Sequence, residues 1–152
     1  MTTARLRVSV GLGCDRGTPL ATLAHALDAA LAQAGATREQ VQALASIDIK
    51  ADEVGLLALA QDMGLKLAFF TPAQLAEVTV PNPSETVRRY TGTPSVSEAA
   101  ALLVGGADKL PLPVSALLVE KFKHRGADGR NATVSLARCD AQVADQTSVW
   151  QA

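Results

Sequence analysis

The chain of 152 residues has few cysteines and few aromatic residues. Its two cysteines, Cys14 and Cys139, are too few for a disulfide framework or a cysteine-rich zinc site. Aromatic residues make up 3% of the chain, which leaves little scope for ring stacking against a ligand. We therefore expect no metal bound by protein side chains, and we expect aliphatic side chains to form most of any apolar binding surface.

The chain also lacks an excess of charge of one sign and any long apolar run. Its 14 lysines and arginines nearly balance 15 acidic residues, and a formal net charge of −1 gives no global reason to expect nucleic-acid binding. No run reaches the length of a membrane span, and no signal-peptide pattern opens the chain. These absences predict a soluble cytoplasmic protein that binds neither nucleic acid nor membrane.

Helical and strand-like patterns alternate along the chain, which predicts an α/β fold. Predicted strands cover residues 6–10, 43–49, 65–70, 116–121 and 132–138. The predicted helices are preceded by capping residues at Thr18, Thr37, Asp52, Thr71, Ser84 and Ser95. Three of these caps have Gln or Glu three residues later, the capping-box pattern, at Thr37, Thr71 and Ser95.

The order of these elements predicts a layered sandwich with a mainly parallel sheet. The short polar link before the last predicted strand favours a C-terminal antiparallel hairpin. The length fits a single domain over residues 4–139, with a weakly ordered tail over residues 140–152.

A glycine-rich segment, GLGCDRGT at residues 11–18, follows the first predicted strand and is expected to form the turn into the first helix. The spacing of Gly11, Gly13 and Gly17 is one residue longer than that of a dinucleotide fingerprint, and the segment lacks the lysine of a P-loop. Backbone amides beside a helix N-terminus still predict a site for an anion.

Cys14, in the same segment, has two interpretations. A helix N-terminus and the nearby Arg16 would lower the pKa of its thiol and make it a nucleophile. Alternatively, Cys14 is a small residue that fits a tight turn.

Polar segments also follow two later predicted strands, at residues 48–53 and 81–85, and such strand ends are where α/β sheets bind ligands. Asp52 and Ser84 have the alternative role of capping helices, and Lys50 has the alternative of pairing with its acidic neighbours in DIKADE. The candidate ligand-binding residues are Gly11, Gly13, Cys14, Arg16, Gly17, Asp48, Lys50, Asn82 and Ser84.

The stretch KFKHR contains a dense basic cluster, formed by Lys121, Lys123, His124 and Arg125. It is either a solvated turn or a site for carboxylates or phosphates. The other histidine, His25, falls off the apolar face of the first predicted helix, so we expect it to be solvated.

Four motifs occur in order, GLGCDRGT, SIDIKADEVGLLALA, VPNPSE and TPSVSEAAALL, and NATVSLAR follows near the end. Together they resemble the cobalamin-biosynthesis family that comprises CobE and the C-terminal domain of CbiG, over about residues 8–138. CbiG proteins carry further N-terminal and central regions, so we expect the chain to be more similar to stand-alone CobE. One departure is the long, proline-rich stretch at residues 108–119, and no role is assigned to Lys109 within it.

The resemblance implies a role in building the corrin ring from precorrin intermediates. The family's motif positions correspond to the candidate ligand-binding residues together with Glu53 and Glu85. A precorrin or corrinoid carries several carboxylates around a broad apolar ring, and Arg16, Lys50 and the amides of the glycine-rich segment would bind those carboxylates. The implied partners are this tetrapyrrole ligand and other enzymes of the pathway.

Three functions follow as hypotheses. The first is a protein that binds a precorrin or corrinoid intermediate as a carrier or as a partner of pathway enzymes. The second is a hydrolase that opens a lactone on a precorrin and releases acetaldehyde, as CbiG-type proteins do. Glu53 or Glu85 would then be the general base, and Lys50 or Arg16 would stabilise the oxyanion. The third is an interaction module with no small-molecule site.

Overall fold

The computed structural model describes residues 6–93, 95–108 and 110–139. The strands are β1 Val8–Cys14, β2 Val41–Ile47, β3 Leu67–Phe70, β4 Leu117–Arg125 and β5 Asn131–Arg138. The α-helices are α1 Leu20–Ala34, α2 Val54–Met63, α3 Pro72–Ala76, α4 Glu85–Thr91 and α5 Val96–Gly105. Short 3₁₀ turns occur at Arg38–Gln40, Asp48–Lys50 and Val114–Ala116. The predicted tail at residues 140–152 and Lys109 lie outside the described residues. None of the helices in the described ranges is long and apolar enough to cross a membrane.

The strands form one sheet in the order β3-β2-β1-β5-β4. β1, β2 and β3 run parallel, whereas β5 is antiparallel to both of its neighbours, β1 and β4. The central strand β1 is paired on both edges, and its alternate residues Val8, Val10 and Leu12 are completely buried. The predicted α/β fold with a C-terminal antiparallel hairpin is confirmed.

Helices cover both faces of the sheet, which confirms the layered sandwich. On one face α1 packs Leu23, Leu27 and Leu31 against β4 and β5. On the other face α5 packs its small residues 99–101 close to the strands, with Leu75 of α3 beside them. Burying each such leucine contributes about 1.5–3 kcal/mol, so these two apolar clusters are the main source of stability.

β1 is longer than the sequence predicts, because it pairs with β5 as far as Cys14, and α5 lies directly on it. The pattern predicts an end at Val10, but the strand continues through Gly11 and Gly13 to Cys14. At Gly11 a Cβ atom would overlap the carbonyl oxygen of Ser97 on α5. Glycine therefore allows the close approach of helix and sheet. The prediction of a loop starting at residue 11 is wrong.

Two other predicted boundaries also differ. β2 ends at Ile47, because the polar residues Asp48–Lys50 form a 3₁₀ turn instead of continuing the strand. β4 continues to Arg125 because it pairs with β5 along that length. The basic cluster of KFKHR therefore lies in a strand and not in a turn.

Other hydrogen bonds replace two of the predicted helix caps. The hydroxyl of Thr18 donates to the carbonyl oxygen of Asp15, three residues earlier, at 2.7 Å, and α1 begins at Leu20. The carboxylate of Asp52 accepts a hydrogen bond from the distant Arg16 at 2.7 Å and caps no helix. Both predicted caps are wrong because a partner outside the helix uses the polar group.

The capping box predicted at Ser95 is wrong for the same reason. Its glutamate, Glu98, accepts hydrogen bonds from Asn82 instead of from the start of α5. The caps that the structure confirms are those at Thr37, Thr71 and Ser84.

Candidate functional site

An open cavity of about 610 Å³ lies at the sheet edge where β1 and β2 end. Pockets for small ligands generally measure about 300–1,000 Å³, so the cavity has the size of a binding site. It is on the face of the sheet that α5 covers, beside the first turn of that helix. Sheet edges of this kind are where open α/β sheets bind ligands, as the sequence indicates.

The sheet itself forms the floor of the cavity. Gly13 of β1 and Thr133 of β5 are paired on adjacent strands, and both line the cavity. Ile47 at the end of β2 adds an apolar side chain, and Val96 and Ser97 from the first turn of α5 border the same space. The floor is therefore small and largely apolar at its centre.

Helix α4 forms one wall. The Oγ atom of Ser84 accepts a hydrogen bond from the Val87 N–H at 3.2 Å, which begins the helix. At the other end the Thr91 hydroxyl donates to the Val87 carbonyl oxygen at 2.7 Å. Val87 and Tyr90 line the cavity, and Tyr90 is 79% exposed, so it stands at the rim.

Three lysines line the cavity at its two ends. Lys50 follows β2, whereas Lys121 and Lys123 lie on β4. In the order β2-β1-β5-β4 these positions are three strand spacings apart, about 14 Å across the sheet at ~4.8 Å per spacing. Among the residues that the structure describes, one carboxylate, that of Asp15, also lines the cavity, and it accepts hydrogen bonds from the Asn131 N–H and Nδ2 at 2.8 and 3.0 Å. The lining is therefore net positive.

Within the part of the chain that the structure describes, no ion pair neutralises the charge of these three lysines. Within the described ranges no ion pair joins Lys50 or Lys123 to a carboxylate, so the pairing of Lys50 inside DIKADE is not observed. The Nζ atom of Lys121 donates to the carbonyl oxygen of Asn82 at 3.1 Å. Burial lowers the pKa of Lys121, against an opposing effect of the Glu98 carboxylate. A partly desolvated ammonium attracts a carboxylate more strongly than one in bulk water does.

The basic cluster is divided between the two faces of β4. Lys121 and Lys123 line the cavity, whereas the ring of His124 has its centre 4.2 Å from that of His25 on α1. His25 is exposed, as predicted, although it also contacts this second ring. Arg125 does not line the cavity. Two of the four basic residues therefore belong to the candidate site.

Cys14 ends β1 and lines the cavity. Burial raises the pKa of its thiol to about 11, against a smaller opposing effect of Lys50. The thiol is therefore protonated at neutral pH. This favours the interpretation of Cys14 as a small residue over the interpretation as a nucleophile.

Arg16 lies in the link between β1 and α1 and bonds to residues of the turn after β2. Its guanidinium lies 2.7 Å from the Asp52 carboxylate and 2.8 Å from that of Glu53, and it donates to the Ile49 carbonyl oxygen at 2.9 Å. The hydrogen bond from Arg16 lowers the pKa of Asp52. Gly17, with a φ of 80°, places its N–H 2.9 Å from the Glu53 carboxylate. Neither Arg16 nor Gly17 lines the cavity.

Neither candidate general base lines the cavity. Glu53 is 3% exposed, and its carboxylate faces Gly17 and Arg16. Glu85 is exposed and lies 3.4 Å from Arg88 on its own helix. Both carboxylates are therefore positioned for structural contacts.

Asn82 connects two acidic residues that the sequence analysis did not select. Its Nδ2 donates to Glu98 at 2.6 Å and to Glu120 at 3.0 Å. Glu98 is completely buried. These bonds fix the loop that leads into α4, and they thereby position one wall of the cavity. The sequence contains one indication of this role, since Glu98 is a charged residue in the otherwise apolar segment SEAAALL. The capping-box pattern instead suggested that Glu98 pairs with the start of its own helix.

The cavity brings together some of the candidate residues and leaves others outside. Those that line it are Gly13, Cys14, Lys50 and Ser84. Those outside its lining are Gly11, Arg16, Gly17, Asp48 and Asn82. Lining residues that the sequence analysis did not select include Ile47, Ile49, Val87, Tyr90, Val96 and Thr133.

The fold and the site define an α/β protein with an open, positively charged cavity at the carboxyl edge of its sheet. Residues 8–137 match the sequence model of the protein family described as "Cobalamin synthesis G C-terminus". The chain belongs to this family and is a cobalamin-biosynthesis protein. The predicted resemblance to CobE and to the C-terminal domain of CbiG is thereby confirmed.

Two curated relatives agree with this assignment. The chain is 35% identical over 136 residues to Protein CobE of Sinorhizobium sp., covering 88% of this chain and 84% of the relative. It is 39% identical over 105 residues to the cobalt-precorrin-5A hydrolase of Priestia megaterium, covering 69% of this chain. The match spans only 28% of that hydrolase.

Solved structures share the fold. The structure of CobE, described as a protein from the cobalamin (vitamin B12) biosynthetic pathway, has a TM-score of 0.68 and 34% identity, with 88% of this chain and 90% of that chain covered. The cobalamin biosynthesis protein chiG from Agrobacterium tumefaciens has a TM-score of 0.54 and 25% identity, with 84% and 96% covered.

Proposed function

We propose that the cavity binds a precorrin or corrinoid intermediate, and that the protein carries this intermediate or presents it to other pathway enzymes. The observation that supports the proposal most directly is the position of Lys50 on one side of the apolar floor and of Lys121 and Lys123 on the other. Corrinoid acids carry their carboxylates around the rim of a broad apolar ring. The charge pattern of the cavity complements that of such a ligand.

Charge and packing both contribute to the proposed affinity. A charge-assisted hydrogen bond from a lysine to a carboxylate contributes about 1.5–3 kcal/mol, and the exposed position of Lys123 favours the lower end of this range. Ile49 and Val87, which line the cavity and are not fully buried, supply aliphatic contacts to the ring. The carboxylate of Asp15 repels the ligand less than a free one would, because Asn131 already donates two hydrogen bonds to it.

The geometry supports binding more than catalysis by the predicted residues. Glu53 and Glu85 lie outside the cavity, and burial keeps the Cys14 thiol protonated. A hydrolase remains the second candidate, because one relative is named as a cobalt-precorrin-5A hydrolase. In this chain the carboxylate that lines the cavity is that of Asp15, so Asp15 is the residue to test as a general base. Under this candidate, Asp15→Asn would abolish acetaldehyde release from a lactonised precorrin while leaving binding intact.

Titration with hydrogenobyrinic acid, a metal-free corrin with several carboxylates, tests the binding proposal. We expect a saturable change in the absorption spectrum of the corrin and an affinity that falls as salt is added. Lys50→Ala and Lys123→Ala should each weaken binding about 10-fold, which corresponds to about 1.4 kcal/mol. Lys66→Ala, at an exposed lysine outside the cavity, is the matched control and should bind like the unmodified protein.

The titration also separates the proposal from its alternatives. If no corrin binds at any accessible concentration, the binding proposal is wrong and an interaction module without a small-molecule site is favoured. If Lys66→Ala weakens binding as much as Lys50→Ala does, the attraction comes from overall charge and not from the cavity.

A further inference from the structure

We propose that Gly13 allows one bare face of the corrin ring to lie flat on the sheet, so that the site accepts corrinoids with no axial ligand on that face. This inference rests on the proposed function and specifies the substrate class. The proposed role of Gly13 depends on the absence of a side chain at this position and not on its backbone amide.

The two glycines of GLG in β1 have different surroundings. A Cβ atom at Gly11 would overlap the Ser97 carbonyl oxygen, so the packing of α5 requires glycine there. At Gly13 a Cβ atom would lie 3.9 Å from the Thr133 Cβ and 4.0 Å from the Val96 Cβ, which are ordinary contacts. The fold therefore requires glycine at the first position only.

Backbone conformation does not require glycine at position 13 either. Gly13 lies inside β1 and is not among the glycines with a positive φ. Glycine within a strand weakens it, because the residue loses more conformational freedom on folding and offers no side chain to pack. A residue that costs stability without a structural need points to a functional need.

The missing side chain opens the floor of the cavity. Gly13, Thr133 and Val96 all line the cavity, so a methyl group at position 13 would stand above the sheet between Thr133 and Val96 and take up part of that space. Close contact along a flat surface is sensitive to such a group, since dispersion attraction falls steeply when a gap of even 0.5–1 Å opens.

The charges determine which way the ring lies. Lys50 follows β2 and Lys123 lies on β4, three strands away in the sheet, so the ligand's carboxylates must reach both sides of the floor. A ring standing on its edge would press other carboxylates onto the apolar floor, at a large desolvation cost. A ring lying flat keeps its carboxylates at the rim and its apolar face on Gly13.

Two corrins with the same kind of carboxylate rim test this orientation. Hydrogenobyrinic acid has two bare faces, whereas dicyanocobyrinic acid carries a cyanide on each face of its cobalt. The unmodified protein should bind the first at least 10-fold more tightly than the second. Gly13→Ala should lose at least 10-fold in affinity for the first and should lose the preference between the two. Lys50→Ala should weaken both ligands and keep the preference.

The outcomes distinguish this inference from the proposed function. If the unmodified protein binds neither corrin, the proposed function fails. If it binds both equally, or if a folded Gly13→Ala variant keeps both the affinity and the preference, the flat orientation is wrong and the proposed function stands. Urea unfolding establishes whether the variant is folded. Should it not fold, the comparison of the two corrins on the unmodified protein decides the orientation alone.

Discussion

The buried carboxylate of Glu53 lies 2.8 Å from the exposed guanidinium of Arg16. This contact joins the link after β1 to the turn after β2, and the Gly17 N–H completes it with a hydrogen bond to the same carboxylate. Because the group is already bonded within the protein and lies outside the cavity, its role in this structure is to hold two of the segments at the sheet edge together.

Glu53→Ala should therefore destabilise the fold without removing the ligand site. We expect a loss of about 1–3 kcal/mol in the free energy of unfolding, because the Gly17 amide loses its hydrogen-bond acceptor and the Arg16 guanidinium loses an ion-pair partner. Urea denaturation measures the loss. Glu85→Ala, at an exposed carboxylate, is the control and should change stability little. A Glu53 variant of unchanged stability would contradict the structural role.

As the pH rises, corrin binding should begin to weaken earlier than it would if Lys121 had the ordinary pKa of a lysine, because burial lowers the pKa of Lys121. Once Lys121 loses its proton, it no longer attracts a carboxylate, so affinity should begin to fall below pH 10.5, the ordinary pKa of lysine. Lys121→Arg should keep its affinity through this range, since arginine stays charged. Titrations at successive pH values follow the effect, and identical pH profiles for the two proteins would rule it out.

The same shift predicts a change in stability. Between the pKa of Lys121 in the folded chain and 10.5, the unfolded chain binds more protons than the folded chain. The contribution of Lys121 to the free energy of unfolding therefore rises with pH across this window. The difference in free energy of unfolding between the unmodified protein and Lys121→Met isolates that contribution. If this difference falls as the pH rises, the prediction is wrong.

Cys14 should react slowly with alkylating reagents. Because its pKa is raised from the ordinary 9.0 to about 11, its thiol is about 100-fold less ionised at pH 8, so iodoacetamide should react about 100-fold more slowly. Mass spectrometry of the peptide containing Cys14 follows the rate, with glutathione as the reference thiol. A rate equal to or above that of glutathione would restore the nucleophile interpretation.

The raised pKa of Cys14 also predicts how the free energy of unfolding depends on pH. Between pH 9.0, the ordinary pKa of the thiol, and about pH 11, the folded chain retains a proton that the unfolded chain has lost. The stability contributed by Cys14 is therefore complete below pH 9.0 and is lost as the pH rises to about 11. Cys14→Ala should show a shallower decline in this window.

The bond between Asn82 and the buried Glu98 predicts a pH-dependent variant. Asn82→Ala removes the side-chain amide that donates to the Glu98 carboxylate, while the backbone N–H of residue 82 remains, and should cost about 1–3 kcal/mol. Asn82→Asp should cost more at pH 7.5, since it places a second negative charge beside Glu98 and Glu120. Its deficit should shrink at pH 4.5, where carboxylates take up protons. Urea denaturation at both pH values gives the comparison, and a pH-independent deficit would argue against the like-charge cause.

Local patterns were sufficient for the elements and insufficient where distant residues meet. The alternation of periodicities predicted the sandwich, and the caps at Thr37 and Thr71 formed because their partners are three residues away. Ser95 and Glu98 have the same capping-box spacing, but Glu98 accepts its hydrogen bond from Asn82, 16 residues earlier in the chain. Gly11 resembled a loop residue because α5, which requires it, lies about 90 residues later in the chain.

The residues of the candidate site were also predicted where a local pattern was sufficient and missed where distant residues meet. Lys50 was selected because it follows a strand that the sequence predicts, and it lines the cavity. Lys121 and Lys123 were recognised as basic, but their place in the cavity depends on the pairing of β4 with β5 and of β5 with β1. The short link between β4 and β5 predicts the first pairing, whereas no local pattern specifies the pairing of β5 with β1. Arg16 was expected to bind the ligand because the sequence does not show that Asp52 and Glu53 fold against it.

The insertion of β5 between β1 and β4 has a consequence for synthesis on the ribosome. β1 is made first and β5 is the last strand of the sheet, yet Gly13 and Thr133 are paired neighbours in the cavity floor. Until β5 emerges, one edge of β1 has no partner, and pairings between such distant segments form slowly. The nascent chain therefore has no complete floor on which to hold a corrin. Folding order thus keeps the site from existing before nearly the whole domain has been translated.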